Sequence, residues 1–162
     1  MQSRRAALIT LASATASVAL SGAIPDAPPH DPVFFNKPDY ATLARLADLI
    51  IPRTDTPGAL DANVPYRIDH AVSLSEHLQS IFRDGLATLP SDFTSLSESQ
   101  QTAILTRMSE APDTPGGQFF TAMKDLTIDW YYKSEEGLVQ ELGFNGNTFR
   151  PNFPGCTHPE HW

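Results

Sequence analysis

Proline placement constrains this chain more than any other feature. Its 14 prolines each remove a backbone donor and hold φ at about −65°, so each ends, kinks or opens a helix and is barred from the interior of a sheet. Between them the apolar residues recur at three- and four-residue intervals, the spacing of a helix with one buried face. Asp39 is placed to cap a first helix through Leu43, Leu46, Ala47 and Ile50, closed by Pro52. From Tyr66, the positions Ile68, Val72, Leu74, Leu78, Ile81, Phe82 and Leu86 predict one long helix, bent near Ser73, weakened by Gly85 in its last turn and finished before Pro90. Ser97 and Gln100 form a capping box ahead of Ala103, Ile104, Leu105 and Met108, with Pro112 as the stop. Thr114-Pro115 opens a fourth helix that carries Phe119, Phe120, Met123, Leu126, Thr127 and Trp130. Ser134 caps a short fifth through Glu135, Glu136, Leu138 and Leu142, stopped by Gly143. No comparable run alternates with period two. The fold class expected is therefore all-α, a single compact domain of about five helices.

The flanks differ from this body. Residues 24–38 hold Pro25, Pro28, Pro29, Pro32 and Pro38, which predicts an extended tether. Thr54-Asp55-Thr56-Pro57-Gly58 describes an ordered turn between the first two helices. Residues 144–162, with Asn145-Gly146-Asn147, Pro151, Pro154, Gly155 and Pro159, predict an irregular tail whose backbone must find partners outside regular structure. The helical domain, tail included, is expected over residues 39–162.

Ahead of the tether, Arg4-Arg5 precedes an uncharged run over residues 8–20 and then Ser21-Gly22-Ala23, small residues at a spacing that suits cleavage. Residues 1–23 read as a twin-arginine export signal, the route that carries proteins already folded. General secretory signals also place basic residues before an apolar run. An uncleaved anchor needs about 20 apolar residues, which this Ser- and Thr-dotted stretch supplies poorly. All three readings put the body outside the cytoplasm. Cleavage after Ala23 leaves 139 of the 162 residues, enough for one domain with a proper core.

Removal of Arg4 and Arg5 moves the formal net charge from −8 to −10, which argues against a nucleic-acid partner. Cys156 is the only cysteine, so no intramolecular disulfide can form; the thiol is buried, paired with another chain or bound to something. One thiol excludes a c-type haem site or an iron–sulfur cluster held by this chain alone. The Gly-x-Gly-x-x-Gly, Walker, Gly-x-Ser-x-Gly and His-Glu-x-x-His patterns are missing, and with them the usual signatures of nucleotide-dependent, hydrolytic and zinc catalysis. On one straight helix His70 and His77 would sit about 10.5 Å apart along the axis, too far to share a metal ion. Asp61 and Asn63 open like a calcium loop, but Tyr66 stands where that loop needs glycine.

The tail allows two readings. Cys156, His158, Glu160 and His161 fall within six residues, donors that suit zinc or copper, and a stand-alone metal-binding module or metal-dependent enzyme is the alternative function they raise. Structural zinc sites usually draw ligand pairs from two separated segments, however, and Pro159 limits how far this one can curl back. Phe149, Phe153 and Trp162 are large apolar groups that an irregular segment cannot bury in its own length. They dock onto the helical domain or onto a second protein.

More specific strings are Leu126-Thr127-Ile128, Tyr131-Tyr132, Ser134-Glu135-Glu136-Gly137-Leu138, Gln140-Glu141-Leu142-Gly143-Phe144 and Gly146-Asn147. They continue through Phe153-Pro154-Gly155-Cys156-Thr157-His158-Pro159-Glu160-His161-Trp162, and earlier through Leu49-Ile50-Ile51-Pro52, Thr54-Asp55-Thr56-Pro57-Gly58-Ala59, Val64-Pro65 and Ile68-Asp69. In these residues the chain resembles the gluconate 2-dehydrogenase subunit 3 family. The resemblance implies a non-catalytic small subunit of a periplasmic dehydrogenase that oxidises a sugar or sugar acid. FAD is expected in a large partner subunit of the glucose-methanol-choline type and none in this chain. A cytochrome c subunit is the implied electron acceptor, often at the membrane, and the twin-arginine translocase would read Arg4 and Arg5 on behalf of both subunits. Tyr131, Tyr132, Phe153, Cys156, His158, His161 and Trp162 are the residues expected to form or support the contact with the partner.

Overall fold

The computed structural model describes residues 31–146. The expected export signal with Arg4 and Arg5, and the tail residues Phe153, Cys156, His158, His161 and Trp162, lie outside the described residues. Within them the chain forms α1 (Lys37–Ile50), α2 (Val64–Ser73), α3 (Glu76–Leu86), a 3₁₀ turn (Phe93–Ser95), α4 (Glu98–Ser109), α5 (Pro115–Tyr132) and a π-helical turn (Glu136–Glu141). Among the described residues there is no strand, as the absence of period-two segments predicts.

The organising element is α5, which packs against each of the other four α-helices. Its closest approach is to α3, where Phe119 lies edge-on to Phe82 with ring centroids 5.2 Å apart, both rings fully buried. Gly85 makes that approach feasible: a β-carbon there would fall 2.0 Å from the Phe119 Cβ. The glycine that weakens α3 as an isolated helix is the one that lets α3 lie flat on α5. Leu43, Leu46 and Ala47 from α1, Val64, Ile68 and Val72 from α2, and Met123 and Tyr131 from α5 complete the same core.

Local signals place several helix ends where the sequence predicts them. Thr114 accepts the N–H of Gly117 at 3.1 Å, with Pro115 in the first helical position, and the Gln100 side chain accepts the Ser97 N–H at 3.0 Å. Two ends differ. Helix α1 begins at Lys37, capped by Asn36 and not Asp39: the Asn36 side chain accepts the Asp39 N–H at 2.8 Å. Pro38 is tolerated in that first turn because the donor it lacks would have no partner there. The long second helix is in fact two. Ser75 accepts the Leu78 N–H at 3.3 Å and so caps α3, while Gln79 donates to the Ser73 carbonyl at 3.1 Å. The break turns Leu74 out to solvent at 76% exposure, although its spacing puts it on the apolar face of a continuous helix.

The segment just before α1 is held by a buried acid. Asp69, 0% exposed on α2, accepts the backbone N–H groups of Val33 at 2.5 Å and of Phe34 and Phe35 at 3.0 Å each. Phe35 is thereby set into the core 5.8 Å from Phe82, and the Arg83 guanidinium lies over Phe34. The last residues of the expected tether therefore dock onto the domain. A charged ring of contacts also fastens α1 to α4: Arg45 donates to Asp48 at 2.7 Å, Gln101 at 2.9 Å and Glu98 at 3.1 Å. Buried Gln101 in turn donates to the Phe93 carbonyl at 2.8 Å.

Asp69→Asn replaces one acceptor oxygen with a donor facing three backbone donors, and we expect it to lower the free energy of unfolding by about 3 kcal/mol. Urea denaturation checks this, and a loss below about 0.5 kcal/mol would mean that these bonds do not secure the segment.

Candidate partner-binding surface

At the C-terminal end of α5 three parts of the chain meet. Ser134 continues from the helix, its hydroxyl donating to the Tyr131 carbonyl at 2.6 Å and accepting the Gly137 N–H at 3.2 Å. The chain then widens into the π-helical turn, in which the Leu142 N–H donates to the Gly137 carbonyl at 3.1 Å. Such wide turns are rare and recur at functional positions. Gly137 is required by proximity: a β-carbon there would stand 2.4 Å from the Tyr131 carbonyl oxygen. The third part is the loop after α1, in which the Thr54 N–H donates to Thr56 at 3.1 Å and the Ala59 N–H to Ile51 at 2.9 Å.

Tyr131 joins all three. Its side chain is fully buried, and its hydroxyl lies 2.5 Å from the Pro57 carbonyl and 2.6 Å from the Glu141 carboxylate. The other Glu141 oxygen accepts the Tyr132 hydroxyl at 2.8 Å. Two adjacent tyrosines, their rings 5.1 Å apart, thus share one carboxylate. Burial, then the bond to Glu141 and its charge, raises the Tyr131 hydroxyl above the ordinary phenol range, with the Thr56 side chain opposing in part. Tyr132 is raised first by its bond to Glu141 and then by burial. Elsewhere, burial followed by the Asp69 charge pushes Tyr40 up to about 12.

Asp61 has a structural task at the far side of the loop. Its carboxylate accepts the Gly58 N–H at 2.8 Å and pairs with the Arg53 guanidinium. Burial alone would raise this carboxyl, but the bonds from Arg53 and Gly58 outweigh it and hold the group below its usual value. Asn63, the other residue of the rejected calcium loop, takes a left-handed φ of 53° where α2 begins. His70 and His77 are both exposed. Among the described residues no group of three or more His, Cys, Asp or Glu side chains is arranged to hold a metal ion. No helix among them is long and apolar enough to cross a membrane.

Of the residues expected at the contact, the structure brings Tyr131 and Tyr132 together, Tyr131 beneath the surface and Tyr132 half-buried at its edge. The sequence reading missed the apolar groups that follow them. Val139 is 45% exposed, Leu142 60% and Phe144 37%, three large apolar groups within six residues. Leu142 belongs to the apolar set expected to anchor the fifth helix, and it faces solvent instead. The signal was available: Leu138, Val139 and Leu142 surround a short helix with more apolar surface than one buried face can use. On α5, two cations approach the Trp130 ring, Arg67 at 5.7 Å and Lys133 at 5.5 Å from its centre.

Comparison with family models matches residues 37–155 to the family described as gluconate 2-dehydrogenase subunit 3. The matched span takes in Tyr131, Tyr132 and Phe153 and stops one residue short of Cys156. No curated protein and no solved structure matches the chain.

The raised phenols make stability fall at alkaline pH. The folded chain keeps these protons above the ordinary phenol value of about 10, so it binds more protons than the unfolded chain from there up to the folded values, about 12 for Tyr40. The free energy of unfolding should be level from near neutrality to pH of about 9 and decline as pH rises through that window, which urea titrations at successive pH values measure. Tyr131→Phe should lose about 2 kcal/mol at neutral pH and decline less steeply above pH of about 10.

Proposed function

The chain belongs to the gluconate 2-dehydrogenase subunit 3 family, and from that membership we propose that it is the non-catalytic small subunit of a periplasmic dehydrogenase complex. The family match across α1 to α5 and into the tail is the observation that carries this reading. The catalytic partner is a flavoprotein of the glucose-methanol-choline type that holds the FAD and oxidises a sugar or sugar acid, with a cytochrome c subunit as the electron acceptor. The small subunit folds with the flavoprotein in the cytoplasm, escorts it through the twin-arginine translocase by way of Arg4 and Arg5, and stays bound after export.

Independent features support the accessory role. The sequence has no dinucleotide-binding glycine turn and a single cysteine, its acidity disfavours nucleic acid, and its surface presents Val139, Leu142 and Phe144 on the stretch that Glu141 fastens to the two tyrosines. A folded partner-binding domain has use for such a surface.

Replacement of Arg4-Arg5 by Lys-Lys should leave the flavoprotein in the cytoplasmic fraction, with dehydrogenase activity absent from the periplasm. Affinity purification of the native chain should bring flavin absorption bands with a larger co-eluting polypeptide. Periplasmic flavoprotein in the Lys-Lys strain would defeat the escort role, and a chain that purifies without flavoprotein would defeat the subunit assignment.

A further inference from the structure

Building on the accessory-subunit reading, we infer that the π-helical turn together with the residues just after it, through Phe144, is the docking element for the catalytic subunit, and that the surface it meets there is an apolar hollow rimmed by Lys or Arg. Every residue of 139–144 is exposed, and Val139, Leu142 and Phe144 make it the densest run of exposed large apolar groups among the described residues. The run is held rigid. Glu141 accepts the Tyr132 hydroxyl, Gly137 sits against the backbone of α5, and the single proton of the Tyr131 hydroxyl is shared between Glu141 and the Pro57 carbonyl, both within 2.6 Å. A preorganised apolar turn loses little conformational freedom on binding, which suits it to anchor an interface.

Charge selects the occupant. Residues 128–146 carry four acids, Asp129, Glu135, Glu136 and Glu141, against one base, Lys133, and Lys133 is already paired with Asp129 at 2.6 Å. Glu135 just before the π-helical turn and Glu136 at its start therefore have no cationic partner among the described ion pairs. A second copy of this chain would bring the same acids, on a molecule of net charge −8, and an anionic lipid surface would be repelled in the same way. A partner with apolar groups inside a basic rim satisfies both parts.

The test is co-expression of the full-length tagged chain with the flavoprotein subunit from its own source, measuring flavin recovered per tagged chain. Val139→Asp/Leu142→Asp, and the milder Leu142→Ser, should reduce recovery at least tenfold, a loss of about 1.4 kcal/mol or more, with urea midpoints unchanged. Leu74→Asp, on an exposed apolar residue elsewhere, should retain wild-type recovery. Glu135→Lys/Glu136→Lys should weaken recovery most at low salt. Undiminished recovery with the turn variants would overturn the inference while leaving the subunit assignment intact, and equal loss with Leu74→Asp would overturn it as non-specific. A wild-type dimer in isolation that Leu142→Ser dissolves would identify a second copy as the occupant and overturn it too. Absence of flavin from the wild-type preparation would instead sink the subunit assignment.

Discussion

The rest of the molecule depends on how closely α3 can lie against α5. Helices with ordinary side chains at the contact pack at about 8–10 Å, and Gly85 beneath Phe119 removes the atom that would hold this pair apart. The close contact buries Phe82 and Phe119 against each other and makes α5 an axis that the remaining helices surround. Once α5 is fixed along its length, its last turn is a rigid base. The loop after α1 and the π-helical turn are then positioned by side chains that reach from that base.

Directional polar contacts, in the core and at its edge, decide the details that apolar packing leaves open. Apolar contact is non-directional, whereas a buried carboxylate must be matched by donors at defined places. Asp69 specifies where the chain approaching α1 runs, because its oxygens meet three successive N–H groups. Gln101 and Arg45 do the same for α4 against α1. At the exposed edge, Glu141 sets the π-helical turn relative to α5 through its contacts with the Tyr131 and Tyr132 hydroxyls. The acidic side chains of the core and its edge thus act as locators, and the surface proposed for the partner inherits its geometry from one of them.

Much of the fold was legible because its signals are local. Ser97 with Gln100 and Thr114 with Pro115 announce helix starts through contacts three residues apart, and periodicity identifies the core faces of α1 and α5. The misread parts are those in which local signals compete. In the stretch joining α2 and α3, apolar spacing favours one helix and Ser75 favours a new start, and the cap prevails because a bent pair can bury both Val72 and Phe82. The candidate surface was legible in half: Tyr131 and Tyr132 were singled out through a family resemblance, while Val139 and Phe144 were not. Asp69 beside Ile68 on an otherwise apolar face was a signal in plain view, since a lone acid in a core stripe needs donors from somewhere.

What the sequence by itself determined is most of the helical segments, their order and the all-α class, because helix propensity, capping and proline exclusion act within a few residues, and, through its motifs, the family. Only the tertiary structure decided that Tyr131 would meet Pro57, 74 positions away, that Asp69 would gather the chain before α1, and that Leu142 would face outward. Those outcomes depend on which helix faces become neighbours, and the volume of the core, too small to receive every apolar group, leaves some of them at the surface.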